Sequence, residues 1–114
     1  MNVRIKPGKL SGIVDIPPSK SLAHRAIIAA SLAEGRSVIT NVSYSKDILA
    51  TINGMRSLGA TIIEEGSTLY IDGSKIKRVN NVIDANESGS TLRFLIPISL
   101  VSSDEVTFIG HGKL

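Results

Sequence analysis

The chain has 114 residues, of which 42% are hydrophobic and 20% are charged, so it can form one folded domain and is not expected to be disordered. Its net charge is +3, but the basic residues are dispersed and aromatic residues make up only 4%, which disfavours nucleic-acid binding and favours a small anionic substrate. The absence of cysteine excludes disulfides and thiolate metal sites. Without an apolar run long enough for a signal peptide or a membrane span, the chain is expected to be cytoplasmic and to have no membrane partner.

The first part of the chain predicts two short strands, a helix and a third strand. Polar and apolar residues alternate over residues 2–6 and 11–16, and Pro or Gly residues end both stretches. Residues 21–33 are rich in Ala, Leu and Ile, which predicts a mostly buried helix that ends at Gly35. The β-branched stretch 37–42 predicts a buried strand.

The second part predicts two more helices and further strands. Ser45 is expected to cap a helix whose apolar residues recur at helical spacing as far as Gly59. A third apolar helix is expected to open at Ser88 and to run to about Val101, with Pro97 bending or breaking it. A hairpin is predicted at residues 61–64 and 68–72, followed by a polar loop at residues 73–80. Two short strands are predicted at residues 82–84 and 105–109.

This order of elements predicts an α/β (α+β) fold in which buried helices pack on a mixed sheet. The hairpin argues against a purely parallel, doubly wound sheet. No short-period repeat or low-complexity segment divides the chain. Residues 1–114 are therefore expected to form one domain at most, and the Gly-Lys-Leu end fits a piece of a longer protein as well as a complete one.

One candidate anion site lies where the first helix begins. Two prolines lead into Ser19, a favoured helix cap, and the free amides of a capped first turn attract anions. Lys20 would add a mobile charge, while Ser21 and Arg25 share a helix face. A capped helix with two solvated cations explains these residues equally well. His24 alone is better explained as a structural histidine than as a catalyst.

A second candidate site lies at the start of the third helix. Gly89 would let a ligand approach the backbone, and the neighbouring hydroxyls could bind it, although an ordinary glycine turn is the simpler interpretation. The segment is too short for a nucleotide-binding P-loop. Asp47 is better explained as a first-turn acid that stabilises its own helix. Metal binding is poorly supported, because no carboxylate cluster accompanies His24 or His111.

The segment Pro18-Ser19-Lys20-Ser21, followed by His24-Arg25-Ala26, resembles the signature of the 5-enolpyruvylshikimate-3-phosphate synthase family. Further segments resemble the same family in the same order: Ala33-Glu34-Gly35, Asn41 with Asp47, Ile52-Asn53 with Leu58-Gly59-Ala60, and Ser88-Gly89-Ser90-Thr91-Leu92-Arg93-Phe94. The resemblance covers nearly all 114 residues. It implies that residues 1–114 form a single partial domain, the N-terminal piece of a two-domain enzyme. This piece would be part of an inside-out α/β barrel built from βαβαββ units, in which residues 1–16 are strands that belong to the other domain.

The resemblance also implies an activity and a set of site residues. The family transfers the enolpyruvyl group of phosphoenolpyruvate to the 5-hydroxyl of shikimate 3-phosphate and releases phosphate, without metal or organic cofactor. Lys20, Ser21 and Arg25 would contact shikimate 3-phosphate, while Lys20 and the Gly89 backbone would contact phosphoenolpyruvate. Arg93 matches a motif arginine near the same cleft. The acid and base carboxylates, and a further arginine for phosphoenolpyruvate, are expected beyond Leu114.

The sequence departs from the family pattern at Glu87, where many members have Asn, and an acid beside an anion site should point away from it. The family protein is several times longer, with two similar domains, and is expected to be a monomer. The isolated chain is therefore expected to bind shikimate 3-phosphate weakly and to catalyse nothing. The alternatives are a UDP-N-acetylglucosamine enolpyruvyl transferase, which typically has Lys-Asn in place of Ser-Lys-Ser, and a non-catalytic domain that binds anions or nucleic acid.

Overall fold

The computed structural model describes residues 1–102 and 105–114, and within them it contains three helices and five strands. The elements in chain order are α1 (Lys20–Leu32), β1 (Gly35–Ile39), α2 (Lys46–Ser57), β2 (Thr61–Glu65), β3 (Thr68–Gly73), β4 (Val82–Asp84), α3 (Gly89–Ser99) and β5 (Thr107–Ile109). The predicted α/β class is confirmed. The run from α1 to β3 has the order αβαββ, which is the predicted βαβαββ unit without its first strand.

The strands form two separate sheets. β3 lies between β1 and β2 in an antiparallel sheet, where Val38 and Ile63 both lie opposite Tyr70. β4 and β5 form a parallel pair, with Ile83 opposite Phe108. Parallel and antiparallel pairing both occur, as predicted, but they are divided between two sheets. The predicted β2–β3 hairpin is confirmed, and Gly66 allows its turn with a φ of 55°.

α2 lies at the centre of the fold, because it contacts α1, α3, β2 and β4. Its predicted apolar positions Ile48, Ile52 and Met55 are each at most 1% exposed, which confirms the helical spacing seen in the sequence. Fully buried side chains from the other elements complete this core: Ile27, Leu69, Ile71, Ile83 and Leu95.

α2 and α3 approach each other closely at Gly54. A Cβ atom at this position would overlap Leu95 Cδ1 of α3 and lie 3.3 Å from Ile83 Cγ2 of β4. The glycine therefore allows a helix-to-helix distance that a larger residue would increase. This contact is one turn away from Thr51 of α2.

The strands predicted at residues 2–6 and 11–16 are wrong for this structure, because residues 1–19 contain no helix or strand. The side chains of Ile5 and Ile13 are 85% and 98% exposed. An alternating sequence becomes a strand only when a neighbouring strand pairs with its backbone amides and carbonyls. No described part of this chain supplies that neighbour.

α1 and β1 are less buried than predicted. α1 buries one face through residues such as His24 and Ile27, while Leu22 on another face is 66% exposed. β1 ends at Ile39 rather than continuing to residue 42, since Asn41 has a φ of 58° and turns the chain out of the strand. Among the described residues, β1 pairs only with β3, and Val38 of β1 is 55% exposed.

α3 begins at Gly89, directly after its predicted opening at Ser88, and continues through Pro97 to Ser99. Of the two effects expected of Pro97, a bend or a break, the break does not occur. Proline removes one amide donor, but only two more helical residues follow it, so few hydrogen bonds depend on that turn. The strand predicted at 105–109 is confirmed over Thr107–Ile109.

Candidate functional site

All three helices begin with the same local structure, a serine cap. The hydroxyls of Ser19, Ser45 and Ser88 accept hydrogen bonds from the amides of Leu22, Ile48 and Thr91, at 3.3, 3.4 and 3.1 Å. Each serine satisfies one amide of its first turn and leaves others free to bind a ligand. The caps predicted at Ser19 and Ser45 are confirmed, and Ser88 caps α3 in the same way.

The three helix N-termini lie at the same end of the molecule. Between α1 and α2, Lys20 contacts Asp47 and His24 contacts Thr51, so both contacts advance by four residues along each helix. Between α2 and α3, the hydroxyl of Thr51 lies 2.7 Å from that of Thr91, and Gly54 lies against Leu95. In each pair of helices the contacting residues advance in the same direction along both helices, so the three helices are parallel. The free amides of the three first turns therefore point to one region.

A buried chain of polar side chains joins the three helices. His24 Nδ1 lies 2.7 Å from Thr51 Oγ1, and Thr51 Oγ1 lies 2.7 Å from Thr91 Oγ1. Thr91 Oγ1 is also 2.7 Å from Ser88 Oγ and donates to the Asp47 carbonyl at 3.2 Å. His24, Thr51, Thr91 and Ser88 are each at most 2% exposed. This chain of hydrogen bonds fixes the N-terminal turns of α1, α2 and α3 relative to one another.

Lys20 lies at the edge of this arrangement and carries its charge into solvent. Its Nζ donates to Asp47 Oδ2 at 2.7 Å, and the two side chains are 55% and 32% exposed. Asp47 is in the first turn of α2, as predicted, and it also pairs with the lysine of α1. A cavity of about 190 Å³ adjoins this pair and is lined by Pro18, Ser19, Lys20, Ala23, Ser43 and Ser45.

Ser21 and Arg25 form a local pair one turn along α1. Arg25 Nη1 donates to the Ser21 carbonyl at 2.9 Å and also to the Ser21 hydroxyl. The Arg25 Cζ atom lies 5.3 Å from the centre of the Phe94 ring of α3, a cation–π contact. Arg25 is therefore held against α3 although it remains exposed.

Gly89 is the first residue of α3 and lies in open space. No other atom would lie within 4 Å of a Cβ placed there, so nothing in the described fold requires a glycine at this position. An open backbone beside free helix amides allows close approach by a ligand. Arg93, one turn later, is exposed.

Glu87 points away from this open backbone. Its Oε1 accepts a hydrogen bond from the Lys113 amide at 3.3 Å, and the carboxylate lies against Gly112, where a Cβ would overlap it. Gly112 has a φ of 57° and so allows this contact. The Glu87 carboxylate is thus directed to the chain near residue 113, as the sequence analysis required.

His24 is a structural histidine, as predicted. Burial lowers its pKa from the ordinary value of 6.5, and the Lys20 and Arg25 charges lower that pKa further, against an opposing effect of Asp47. The imidazole is therefore neutral at physiological pH and serves as a hydrogen-bonding group inside the helix cluster.

Sequence reasoning identified Lys20, Ser21, Arg25 and Gly89, and the structure places all four at the same end of the helix cluster. Sequence reasoning missed Thr51 and Thr91 as linking groups. The one signal for them in the sequence is that each is a polar residue on an otherwise apolar helix face. Within residues 1–102 and 105–114, no group of three His, Cys, Asp or Glu side chains is placed to hold a metal ion. No helix in those same ranges is long and apolar enough to cross a membrane.

Comparison with known proteins gives one consistent result. The profile of EPSP synthase (3-phosphoshikimate 1-carboxyvinyltransferase) matches residues 5–114. The chain is 60% identical over 114 residues to the 3-phosphoshikimate 1-carboxyvinyltransferase of Clostridium perfringens (strain SM101 / Type A), covering 98% of this chain and 27% of that protein. It is 57% identical over 116 residues to the protein of the same name from Clostridium acetobutylicum, again covering 98% and 27%.

The fold agrees with the sequence comparison. The EPSP synthase from Acinetobacter baumannii superimposes with a TM-score of 0.75 at 26% identity, covering 90% of this chain and 24% of that chain. The chain thus spans about a quarter of the length of the relatives that it matches. The resemblance drawn from the motifs is confirmed, because the matched residues include every one of them. The chain belongs to the EPSP synthase family.

Proposed function

We propose that this chain supplies the anion-binding part of the active site of a 3-phosphoshikimate 1-carboxyvinyltransferase. The complete enzyme transfers the enolpyruvyl group of phosphoenolpyruvate to the 5-hydroxyl of shikimate 3-phosphate and releases phosphate. The single observation that carries this proposal is the position of Lys20 at the edge of a cluster of three parallel helix N-termini. Free amides and a lysine together suit two polyanionic substrates.

Shikimate 3-phosphate would bind along α1 through Lys20, Ser21 and Arg25. All three side chains are exposed at the start of that helix. The hydrogen bonds from Arg25 to Ser21 and its contact with the Phe94 ring hold the guanidinium in place before a ligand arrives. A guanidinium that is already oriented loses less conformational entropy when it binds a phosphate.

Phosphoenolpyruvate would bind between α1 and α3, through Lys20 and the backbone of Gly89. The open space over Gly89 supports this role, since the fold alone gives no reason for a glycine there. Lys20 would contact both substrates and stabilise the negative charge that develops as they react. The Lys20–Asp47 ion pair is exposed and therefore weak, so an incoming anion can compete for the lysine at little cost.

The acid and base groups of the reaction would come from the part of the enzyme outside this chain, which would also pair with residues 1–16 as strands. The complete enzyme would act as a cytoplasmic monomer without metal or organic cofactor, and its partners would be its two substrates. The isolated chain would bind shikimate 3-phosphate weakly and would have no turnover.

A chimera tests this proposal, because the relatives supply what this chain lacks. Residues 1–114 would replace the matched segment of the Clostridium perfringens protein, to which they are 60% identical. We expect the chimera to release phosphate from phosphoenolpyruvate only when shikimate 3-phosphate is present. Lys20→Ala should abolish this activity, whereas the matched control Lys75→Ala, in an exposed loop, should retain it. A folded chimera without turnover, or an active Lys20→Ala variant, would overturn the proposal.

A further inference from the structure

We propose that Thr51 and His24 are positioning residues, whose buried hydrogen-bond chain to Thr91 sets the spacing between Lys20 on α1 and Gly89 on α3. The inference rests on the proposed function, in which these two groups bind phosphoenolpyruvate. Neither Thr51 nor His24 would touch a substrate, because both are buried, at 0% and 2% exposure.

The hydrogen-bond chain connects the two halves of the proposed phosphoenolpyruvate site through α2. His24 lies one helical turn after Lys20, and Thr91 lies two residues after Gly89. Thr51 lies between them, 2.7 Å from His24 Nδ1 and 2.7 Å from Thr91 Oγ1. A change at Thr51 would therefore move α1 relative to α3, although it would leave each helix intact.

Assigning the Thr91 proton gives the hydrogen-bond chain a single direction. Thr91 has one hydroxyl proton, and the Asp47 carbonyl, the Ser88 hydroxyl and the Thr51 hydroxyl all lie within reach of it. The Asp47 carbonyl cannot donate, so we assign the Thr91 proton to it, and Thr51 then donates to Thr91, which has no second proton for that contact. Thr51 can then only accept from His24, so the neutral imidazole carries its proton on Nδ1.

Because its donors and acceptors have a fixed order, the hydrogen-bond chain requires a hydroxyl group at residue 51. Valine has nearly the shape of threonine, but it would leave the His24 Nδ1 proton without an acceptor and remove the donor to Thr91. Serine keeps the hydroxyl at the cost of one methyl group. The pair of substitutions Thr51→Val and Thr51→Ser therefore separates the hydrogen bonds from the packing.

The two substrates should respond differently to a shift between helices. The proposed shikimate 3-phosphate groups Lys20, Ser21 and Arg25 all lie on α1 and keep their mutual spacing when that helix moves. The phosphoenolpyruvate groups lie on α1 and α3, so their spacing changes. A purely structural role for Thr51 would lower stability without separating the two substrates.

The test uses the chimera described above. We expect Thr51→Val to raise the KM for phosphoenolpyruvate on the order of tenfold, because small displacements of binding groups are costly. The KM for shikimate 3-phosphate should change less than about twofold, and Thr51→Ser should restore the KM for phosphoenolpyruvate. An equal effect on both substrates, an unchanged KM for phosphoenolpyruvate, or an equal loss in Thr51→Ser would overturn the proposal.

A second measurement does not depend on the Thr51 variants. Nitrogen NMR of histidine-labelled chimera above pH 7 should show His24 protonated on Nδ1, with the signal assigned by its absence in His24→Gln. Protonation on Nε2 would reverse the inferred direction and overturn the proposal even if Thr51→Val failed to fold. A failure of the proposed function would instead appear in the unmodified chimera as a lack of turnover, so the two failures are distinguishable.

Discussion

The contact between Gly54 of α2 and Leu95 of α3 sets how closely these two helices approach. Gly54→Ala would place a methyl group onto Leu95 Cδ1 and 3.3 Å from Ile83 Cγ2. Leu95 and Ile83 are 0% and 1% exposed, so neither side chain can move into solvent to make room. The helices would have to separate or the side chains would have to leave their preferred rotamers.

Two opposing effects determine the size of the change. Alanine is the better helix former by about 1 kcal/mol, which would stabilise α2. Overpacking a filled core costs about 1–3 kcal/mol, which is the larger effect here because three buried groups meet at one point. Because the added methyl group would overlap a buried Leu95 atom, the overpacking cost should lie in the upper part of that range. After the helix gain of about 1 kcal/mol is subtracted, we expect Gly54→Ala to lower the free energy of unfolding by about 1–2 kcal/mol.

Urea unfolding of the chain measures this change, and Gly89→Ala is the matched control. It makes the same chemical substitution at a helical glycine with open space around it, so it should not destabilise the chain. Leu95→Val removes the clashing Cδ1 atom, so the double variant should be less destabilised than the sum of the two single variants. Additive effects, or equal effects of Gly54→Ala and Gly89→Ala, would refute the reasoning.

Three further predictions concern the site itself. Gly89→Ala should raise the KM for phosphoenolpyruvate in the chimera without lowering its melting temperature, and a normal KM would contradict the ligand contact. Asp47→Asn should lower the free energy of unfolding by no more than about 1 kcal/mol, because its ion pair with Lys20 is exposed, and a larger loss in urea unfolding would mean that the pair is structural. Burial lowers the pKa of His24 in the folded state, so as the pH falls the unfolded chain binds a proton at this residue before the folded chain does. The free energy of unfolding should therefore keep its full value above pH 6.5 and decrease below it. His24→Gln should remove that slope below pH 6.5, and an unchanged slope would contradict the assignment.

Local signals in the sequence were sufficient for the elements that depend on local interactions. Ser45 and the apolar spacing after it predicted α2 closely, because a serine cap and a helical stripe act within a few residues. The motif residues Lys20 and Gly89 were identified because their residue types suit an anion at a helix start. These helices, and the placement of Lys20 and Gly89 at helix N-termini, could be predicted.

The remaining parts depend on groups that are distant in the sequence. Residues 2–6 alternate like a strand, yet no described strand of the chain pairs with them. Thr51 and Thr91 are separated by 40 residues, and only the packing of α2 on α3 brings their hydroxyls together. The same holds for Lys20 and Asp47, whose ion pair spans 27 residues.

The parallel arrangement of α1, α2 and α3 has a consequence for folding itself. Each helix N-terminus carries roughly half a positive charge, and like charges brought to one place repel. Asp47 is the one acidic residue in the first turns of these three helices, so most of this repulsion remains in the folded chain. A bound anion would relieve it, and ligands that bind only the folded state shift the folding equilibrium. Under the proposed function, binding of an anionic substrate would therefore also stabilise the folded state.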